Sequence, residues 1–469
     1  MKTHSLRTIL IASLLVAAAL LTPQATAASG TGYVRVEQID GVWWFISPDG
    51  QKFVSLGVNH IEPHLWLAPY NQEATLKRYG ADMLTPQGRF DTDSEAAEKW
   101  INRQVEICRD LRFNTFGKHT HPSISPSLYQ DKVYYLASLE TAPLALWRHE
   151  AGEGPMPDIF SSDFEVYLNQ RVAEVVSQHK QSRNLLGYLY TDIPHWVMPD
   201  YIQRRENERV MIYPWLNTIV RLGASSPGKQ RWIEHLKSRY STAEAAAKVW
   251  GMSAPAIYGT SWEQLAHQQT WFDPSDAEAA EQDMESFMQL IADRWYRLHH
   301  DAIRQHDRNH LIFGDKTMIE MYRKFLIPSL KKYVDVIVVQ SYNRWSKDAE
   351  TTDWIYQQLG KPIFNGDGSY AYVHPNQQQY KVKGWWTNAK DLADVSAMYK
   401  ETLDGMMAKP YIIGWHHCGM LQQWDGALRG DVDSNENGFM DPFENYYTEW
   451  TDVIREFNSK AADLHEAAK

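Results

Sequence analysis

Short runs of β-branched and aliphatic residues recur along the chain, and each run ends at polar side chains, many of them ionisable. Apolar runs of this kind, separated by helical patterns, are typical of buried parallel strands. Seven runs are clear and one, the third, is weaker: Phe53–Val58, Phe113–Gly117, Val133–Leu139, Leu185–Tyr190, Leu311–Gly314, Val336–Val339, Pro362–Phe364 and Tyr411–Gly414. Eight strands alternating with helices predict an α/β fold, a (β/α)8 TIM barrel, whose functional residues lie at the carboxyl ends of the strands.

Two further segments complete the predicted architecture. Residues 33–52 predict an N-terminal β-hairpin, because the pair Asp40-Gly41 is flanked by alternating apolar residues. Residues 197–310, between strands 4 and 5, predict a helical insertion with helices near Trp232–Tyr240, Thr242–Trp250 and Ala277–His306. Since strand patterns resume after it, we interpret residues 28–469 as a single barrel domain.

The first 27 residues have the pattern of a secretory signal peptide. Lys2 and Arg7 precede the apolar stretch Ile9–Leu21, and Ala25-Thr26-Ala27 forms a small-residue cleavage site. The apolar stretch is too short to span a bilayer comfortably. We therefore expect a secreted or periplasmic protein with no membrane partner.

Composition narrows the classes of ligand. The net charge of -11 argues against nucleic acid as a partner. The 19 Trp exceed the 15 Phe, and there are 25 Tyr. Core packing accounts for only part of this excess, whereas the rest fits the stacking of aromatic rings on sugars. The expected partner is a carbohydrate, no organic cofactor is predicted, and the oligomeric state is left open.

Two aspartates are the catalytic candidates. Asp192 ends the fourth strand before Pro194, and Asp367 holds the equivalent place on the seventh, between two glycines. Because strands 4 and 7 face each other across a closed barrel, the two carboxyl groups should share one cleft. Glycosidic bond cleavage uses such a pair, one group as acid and the other as nucleophile or base. A helix cap for Asp192 and a plain turn for Asp367 are the structural alternatives.

The remaining polar and aromatic residues at the predicted strand ends are candidates for sugar binding. They are Asn59, His60, Lys118, His119, His121, His195, Trp196, Asp315, Lys316, Gln340, Tyr342, Trp415, His416 and Trp424. Asp315 is also a rival carboxylate, although its neighbour Lys316 favours an ion-paired sugar ligand. The histidines suggest a zinc site as a further alternative, but their spacing does not match the His-x-His pattern of metal-dependent hydrolases on this fold.

Several segments resemble agarases and related β-galactosidases of glycoside hydrolase clan A, families 50 and 42. The resemblance rests on six segments or spaced sets of residues. They are Gly41–His60, the spaced residues Trp232, Leu236 and Tyr240, the pair Ala243-Glu244, the triplet Val249-Trp250-Gly251, Trp262–Leu265 and Asn309–Gly314. These segments are scattered over nearly the whole mature chain. The resemblance implies an exported, carbohydrate-active barrel.

The chain departs from that family at the catalytic positions. The resemblance implies Asn-Glu after strand 4 and a second Glu after strand 7. Alignment on Trp196 instead places Asp192 at the Asn position and Ile193 at the Glu position, while Asp367 replaces the second Glu. Because Asp is one methylene shorter than Glu, both a retaining and an inverting mechanism stay open.

The predicted function is an exported glycoside hydrolase acting on a galactose-containing polysaccharide or oligosaccharide of agar or carrageenan type. One alternative is a non-catalytic glycan-binding relative, suggested by Ile193 at the Glu position. The other alternative is a metal-dependent hydrolase on the same fold.

A separate motif near the C-terminus predicts structural calcium. Residues 433–444 match the calcium-loop pattern D-x-[DN]-x-[DN]-G-x5-E at every specified position. The predicted ligands are Asp433, Asn435, Asn437, the Phe439 carbonyl, Asp441 through water, and Glu444. A turn rich in Asp and Asn that binds nothing is the structural alternative.

Overall fold

The computed structural model shows a closed parallel barrel with an outer layer of helices. The residues it describes are 31–142, 156–192, 194, 196–197, 213–252, 260–269, 275–370, 372, 389–423 and 438–468. Within these ranges, we find no helix with the length and apolarity needed to cross a membrane. The predicted signal peptide lies outside the described residues.

Eight parallel strands close the barrel in sequence order, which confirms the predicted fold. The strands are β4 (Ser55–Val58), β5 (Thr115–Phe116), β6 (Tyr134–Ser138), β7 (Leu185–Asp192), β8 (Leu311–Met318), β9 (Ile337–Gln340), β10 (Ile363–Gly368) and β11 (Ile412–His417). Each of the eight apolar runs became a strand. Strands β7, β8, β10 and β11 extend beyond their apolar runs, so that their polar ends belong to the barrel wall.

The N-terminal segment forms a three-stranded antiparallel sheet, β1 (Arg35–Ile39), β2 (Val42–Ile46) and β3 (Lys52–Phe53). Positive φ angles at Asp40 (52°) and Gly41 (87°) form the predicted tight turn. Phe45 packs against Phe313 and Phe364, with ring centroids 6.2 and 6.4 Å apart. This sheet therefore contributes a large apolar side chain to the cluster inside the barrel.

The helices lie outside the strands and in the predicted insertion. They are α1 (Pro63–Trp66), α2 (Gln72–Tyr79), α3 (Glu95–Asp110), α4 (Ser162–His179), α5 (Pro214–Arg221), α6 (Pro227–Arg239), α7 (Ala243–Val249), α8 (Trp262–His267), α9 (Ala277–His306), α10 (Ile327–Tyr333), α11 (Trp345–Leu359), α12 (Leu392–Met407) and α13 (Thr448–Glu466). Helices α5 to α9 separate β7 from β8, as predicted. The side chain of Asp276 caps α9 by accepting a hydrogen bond from the Ala279 N–H.

Candidate active site

Lys316 joins the two catalytic candidates at the carboxyl end of the barrel. Its Nζ lies 3.1 Å from Asp192 Oδ1 and 2.5 Å from Asp367 Oδ2. All three side chains are at most 5% exposed. The structure thus brings together Asp192, Asp367 and Lys316, which come from three different strands.

Backbone geometry determines which side chains enter the barrel. Asp192 pairs with Lys316 in the register of β7 and β8, and the register shifts between Leu189 and Asp192. Gly314 adopts a φ of 67°, and a Cβ there would come within 3.0 Å of Val334. This irregularity precedes the point at which Lys316 turns inward, while its neighbour Asp315 turns outward.

The two carboxyl groups are close enough to act on one glycosidic bond. The separation of Asp192 Oδ1 and Asp367 Oδ2 cannot exceed the sum of their distances to Lys316 Nζ, about 5.6 Å, which compares with the spacing of about 5–5.5 Å in retaining glycosidases. The bound applies to the two oxygens that both face Lys316, so it brings the carboxyl groups within reach of one bond without assigning retention or inversion.

Asn59 fixes the other oxygen of Asp367. Its Nδ2 donates to Asp367 Oδ1 at 2.8 Å and to the Gly366 carbonyl at 2.9 Å. Gly117 is required beside it, because a Cβ at that position would overlap Asn59 Oδ1 and the His416 ring. Asp367 is therefore held at both carboxylate oxygens, one by an amide and one by an ammonium group.

The charges of this cluster stabilise one another. Burial pushes the pKa of Asp192 upwards, but Lys316 and the hydrogen bond from His119 outweigh it and hold that pKa well below the usual range. Burial likewise opposes the charge of Asp367, and Lys316 again lowers its pKa. The two carboxylates raise the pKa of Lys316 despite its burial. Both aspartates are thus ionised in the free protein at neutral pH.

A pair of stacked histidines lies against Asp192. His119 Nε2 donates to Asp192 Oδ2 at 2.9 Å, and the His119 ring stacks on His60 at 4.4 Å. Burial, followed by the neighbouring His60, lowers the pKa of His119 to about 4. His60 and His119 have positive φ angles of 59° and 67°, a conformation that is uncommon outside glycine and is found at functional sites.

Glu62 is a site residue that sequence reasoning missed. Its Oε2 lies 3.0 Å from His60 Nδ1, so it orients the ring that stacks on His119. The available signal was its position two residues after His60, at the end of the first barrel strand. Glu62 thus adds a third carboxylate on the same side of the barrel.

Four other predicted residues also lie at the carboxyl end of the barrel. Lys118 Nζ donates to Ser138 Oγ at 2.8 Å and pairs with Glu140, and burial lowers the pKa of Lys118 to about 7. Gln340 Nε2 donates to Tyr342 Oη at 2.7 Å. His416 lies deeper, where Ser55 Oγ is 2.9 Å from its Nε2.

Two predicted sugar ligands, Asp315 and His121, occupy other places. Asp315 contacts the indole nitrogen of Trp295 on α9, at 3.1 Å from each carboxylate oxygen, and burial raises its pKa to about 7. The expected Asp315–Lys316 ion pair is therefore wrong, because adjacent strand residues face opposite sides. His121 is half-buried at the edge of the site, where its Nδ1 lies 2.7 Å from Ser123 Oγ.

The predicted sugar-stacking roles of Trp196 and Trp415 are not supported. Trp196 is fully buried and stacks on Trp215 and Tyr296 at 5.4 and 5.9 Å, so no sugar reaches its faces. Trp415 packs edge-on against Tyr399 of α12 at 5.0 Å. At least ten of the 19 Trp are similarly buried, which makes packing the main use of this residue type. His195 and Trp424 lie outside the described residues, as does Ile193.

Within the described ranges, two groups of side chains have the composition of a metal site. Ligand atoms of His60, Asp367 and Cys418 lie within 4.8 Å of one another, and so do those of His60, Glu62 and His119. The first group includes a carboxylate that already pairs with the Lys316 ammonium at 2.5 Å. A divalent cation at Asp367 would therefore have to overcome the repulsion of a buried positive charge.

The calcium loop is only partly described. Asp433, Asn435 and Asn437 lie outside the described residues, whereas Phe439 is buried. Asp441 accepts hydrogen bonds from the N–H groups of Phe443 and Asn445 at 2.8 and 2.9 Å. The Glu444 carboxylate accepts from Trp66 at 2.7 Å and from Tyr79 at 2.6 Å, and it pairs with Arg78. Calcium would have to compete with these donors for Glu444.

If this loop binds calcium, removing the ion should lower the thermal stability of the protein. Excess chelator should lower the melting temperature and added calcium should restore it, because the ion binds the folded state. Glu444→Gln should abolish that response by removing the bidentate ligand. The matched control is Arg78→Gln, which also breaks the ion pair with Glu444 but should keep the calcium response. Equal melting temperatures in calcium-stripped and calcium-loaded wild type would rule out the site.

Comparison with known proteins links the barrel to enzymes of agar degradation. β-Agarase B of Vibrio sp. (strain JT0107) is 21% identical over 500 residues, covering 92% of this chain and 48% of that protein. β-Agarase A of the same strain is 22% identical over 486 residues, covering 92% of this chain and 46% of that protein. This chain is similar to the β-agarases. The comparison confirms the resemblance inferred from sequence, although the chain spans about half the length of these curated relatives.

Solved structures agree on the fold. An agarase, AgWH50C, has a TM-score of 0.72 at 16% identity, covering 93% of this chain and 66% of that one. An exo-β-agarase has a TM-score of 0.71 at 18% identity, covering 94% and 66%. No protein-family model matches the chain. These structures therefore share the barrel fold with this chain.

Proposed function

We propose that this protein is a glycoside hydrolase that cleaves agar-type galactans or their oligosaccharides. The observation that carries the proposal is the buried pair Asp192 and Asp367 at the carboxyl ends of β7 and β10, bridged by Lys316. Similarity to β-agarases over 92% of the chain supports the substrate class. The pattern of residues 1–27 supports export of the mature enzyme.

Asp367 fits the role of nucleophile. A nucleophile must be ionised and fixed, and Lys316 and Asn59 provide both conditions by binding one carboxylate oxygen each. A separation of at most about 5.6 Å between its Oδ2 and Asp192 Oδ1 is compatible with a retaining double displacement. In that reaction an Asp367 oxygen attacks the anomeric carbon while the glycosidic C–O bond breaks and the leaving oxygen takes a proton from Asp192. Water, deprotonated by Asp192, then attacks the anomeric carbon, which breaks the bond to Asp367 and releases the sugar.

The geometry and charges fit Asp192 as the general acid less well than they fit Asp367 as the nucleophile. A general acid must carry a proton, yet Lys316 and His119 keep the pKa of Asp192 well below the usual range. Asp192 Oδ1 is buried and lies 3.1 Å from Lys316 Nζ, so a proton or a substrate hydroxyl at this oxygen would have to displace the Lys316 contact. Substrate protonation by Asp192 therefore requires proton uptake when the sugar binds, and activity should fall as the pH rises.

A glycan-binding protein without turnover is the second candidate. It is favoured by the ionised state of Asp192 and by Ile193, which stands where the resembled enzymes have their acid. In this case the sugar would bind against the same cluster, and its glycosidic bond would stay intact.

The deciding experiment is a turnover screen of purified protein. We expect release of reducing sugar from neutral agar oligosaccharides, and proton NMR should show that the first-formed anomer retains its configuration. Binding without release of sugar would favour the second candidate. Loss of turnover on chelation, restored by a divalent metal, would instead favour metal-dependent hydrolysis.

A further inference from the structure

A groove lined by one arginine and two histidines adjoins the Glu62 side of the candidate active site. It has a volume of about 570 Å³, and its lining includes His64, Gln72, Arg89, Phe90, His121 and Ser123. Glu62 connects the two regions, since its Oε2 lies 3.0 Å from His60 Nδ1 and 4.0 Å from His64 Nε2. Glu62 thus links the groove to the stacked histidines His60 and His119, the second of which contacts Asp192.

The charge of the groove contrasts with that of the whole protein. Arg89, His64 and His121 line it, and none of its described lining residues is Asp or Glu. The protein as a whole carries a net charge of -11. Arg89 is exposed and forms no ion pair with any described residue, so its guanidinium group is available to a ligand. Arg89 thus provides one unpaired cation in the groove, and a cation of this kind favours an anionic ligand.

A rigid turn positions Arg89. Pro86 and Gly88 occupy the second and fourth places of a tight turn that starts at Thr85, where Pro and Gly are favoured. The Gly88 N–H donates to the Thr85 carbonyl at 2.8 Å, and the Thr85 N–H donates to the Arg89 carbonyl at 2.7 Å. The Thr85 hydroxyl accepts from the Arg89 N–H at 3.2 Å. The backbone of Arg89 is thus fixed before any ligand arrives.

Two further side chains suit a sugar with an anionic substituent. The Ser123 N–H donates to His121 Nδ1 at 3.2 Å, which leaves the proton of the neutral ring on Nε2 as a donor. Phe90 packs edge-on against Trp100 at 5.6 Å, so its ring is held in place at the groove. Apolar and hydrogen-bonding groups around a cation are the combination that recognises a charged sugar.

We propose that this groove is a subsite for a sugar residue bearing an anionic group, a sulfate ester or a carboxylate. The inference rests on the proposed glycoside hydrolase function and adds a specificity to it. Arg89 binds the anion through two parallel N–H groups, and His121 donates a further hydrogen bond. The protein should accordingly prefer charged galactan oligosaccharides over neutral ones of equal length.

Calorimetric titration of the full chain tests this preference. The Asp367→Asn variant serves as the background, because it should bind oligosaccharides without consuming them. Sulfated galactan oligosaccharides should bind about 10–100-fold more tightly than neutral agar oligosaccharides at low salt, and Arg89→Gln should remove that difference. Arg89→Lys should keep part of it. Oligogalacturonates, tested in parallel, distinguish carboxylate from sulfate recognition.

The matched control is Arg103→Gln, which neutralises an exposed arginine of α3 that pairs with Glu106. It should leave the preference unchanged. Equal binding of sulfated oligosaccharides by the background and by its Arg89→Gln derivative would overturn the subsite even if wild type cleaves agar oligosaccharides. Conversely, loss of binding in Arg89→Gln while wild type cleaves nothing would support the subsite and reject the proposed hydrolase function.

Discussion

Asp367→Asn should reduce kcat on agar oligosaccharides by at least about 10³-fold in a variant that still folds. The amide keeps the shape of the side chain and its contact with Asn59, but it cannot form the covalent bond to the sugar. Asp192→Asn should lower kcat by about 10²–10⁴-fold through loss of proton transfer. Initial rates and thermal unfolding of both variants check these expectations.

Asp315→Asn is the matched control for these two substitutions. Asp315 is as buried as the aspartate pair, but its carboxylate faces Trp295 and the helix layer. Its amide variant should therefore retain hydrolysis. Near-normal hydrolysis by Asp367→Asn would contradict the nucleophile assignment, and the same result for Asp192→Asn would direct attention to Glu62 as proton donor.

The order of the strands was predictable because each apolar run is short, rich in β-branched residues and bounded by helical patterns. The ends of the strands were less predictable. Strand β8 continues from the expected Gly314 to Met318, and β10 continues from Phe364 to Gly368. Polar residues at these ends still belong to the strands because their backbones form hydrogen bonds with neighbouring strands. The pattern of hydrophobic residues does not reveal such backbone pairing.

The proximity of Asp192 and Asp367 followed from topology alone. The carboxyl ends of all eight parallel strands lie at the same end of a closed barrel, so residues at the ends of strands 4 and 7 face each other there. The sequence did not predict that Lys316 would bridge the two aspartates. The sequence analysis paired Lys316 with its neighbour Asp315, whereas β8 continues through both residues, so that their side chains point to opposite sides of the barrel wall.

Aromatic side chains gave the least reliable indication of function. Trp196 follows the fourth strand closely, which made it a candidate for sugar stacking, yet it is enclosed by Trp215 and Tyr296. Whether a large ring packs inward or faces a ligand depends on helices far away in sequence, here α5 and α9. Composition reveals an excess of Trp but not the location of the ring faces.

Lys316→Met should alter both activity and the pH dependence of stability. The substitution leaves two carboxylates buried together without their cation, and breaking such a buried ion pair costs about 3–5 kcal/mol. One aspartate should then take up a proton, because its burial and its neighbour both disfavour the second charge. We expect turnover to fall by orders of magnitude at neutral pH, since Asp367 would no longer be held in its ionised form.

The sign of the pH effect distinguishes wild type from the variant. In wild type the pKa values of Asp192 and Asp367 are lowered, so their stabilising contribution is present above the unfolded value of about 4 and is lost as the pH falls through the folded values. In Lys316→Met at least one folded pKa should rise above about 4, so stability should fall with increasing pH, by up to about 1.4 kcal/mol per pH unit. Urea unfolding between about pH 4 and pH 7 measures both slopes.

The double variant Asp192→Asn/Lys316→Met removes one of the two carboxylates, which repel each other once Lys316 is absent. It should therefore regain much of the lost stability. A variant profile parallel to that of wild type would show that Lys316 does not set the ionisation of the aspartate pair.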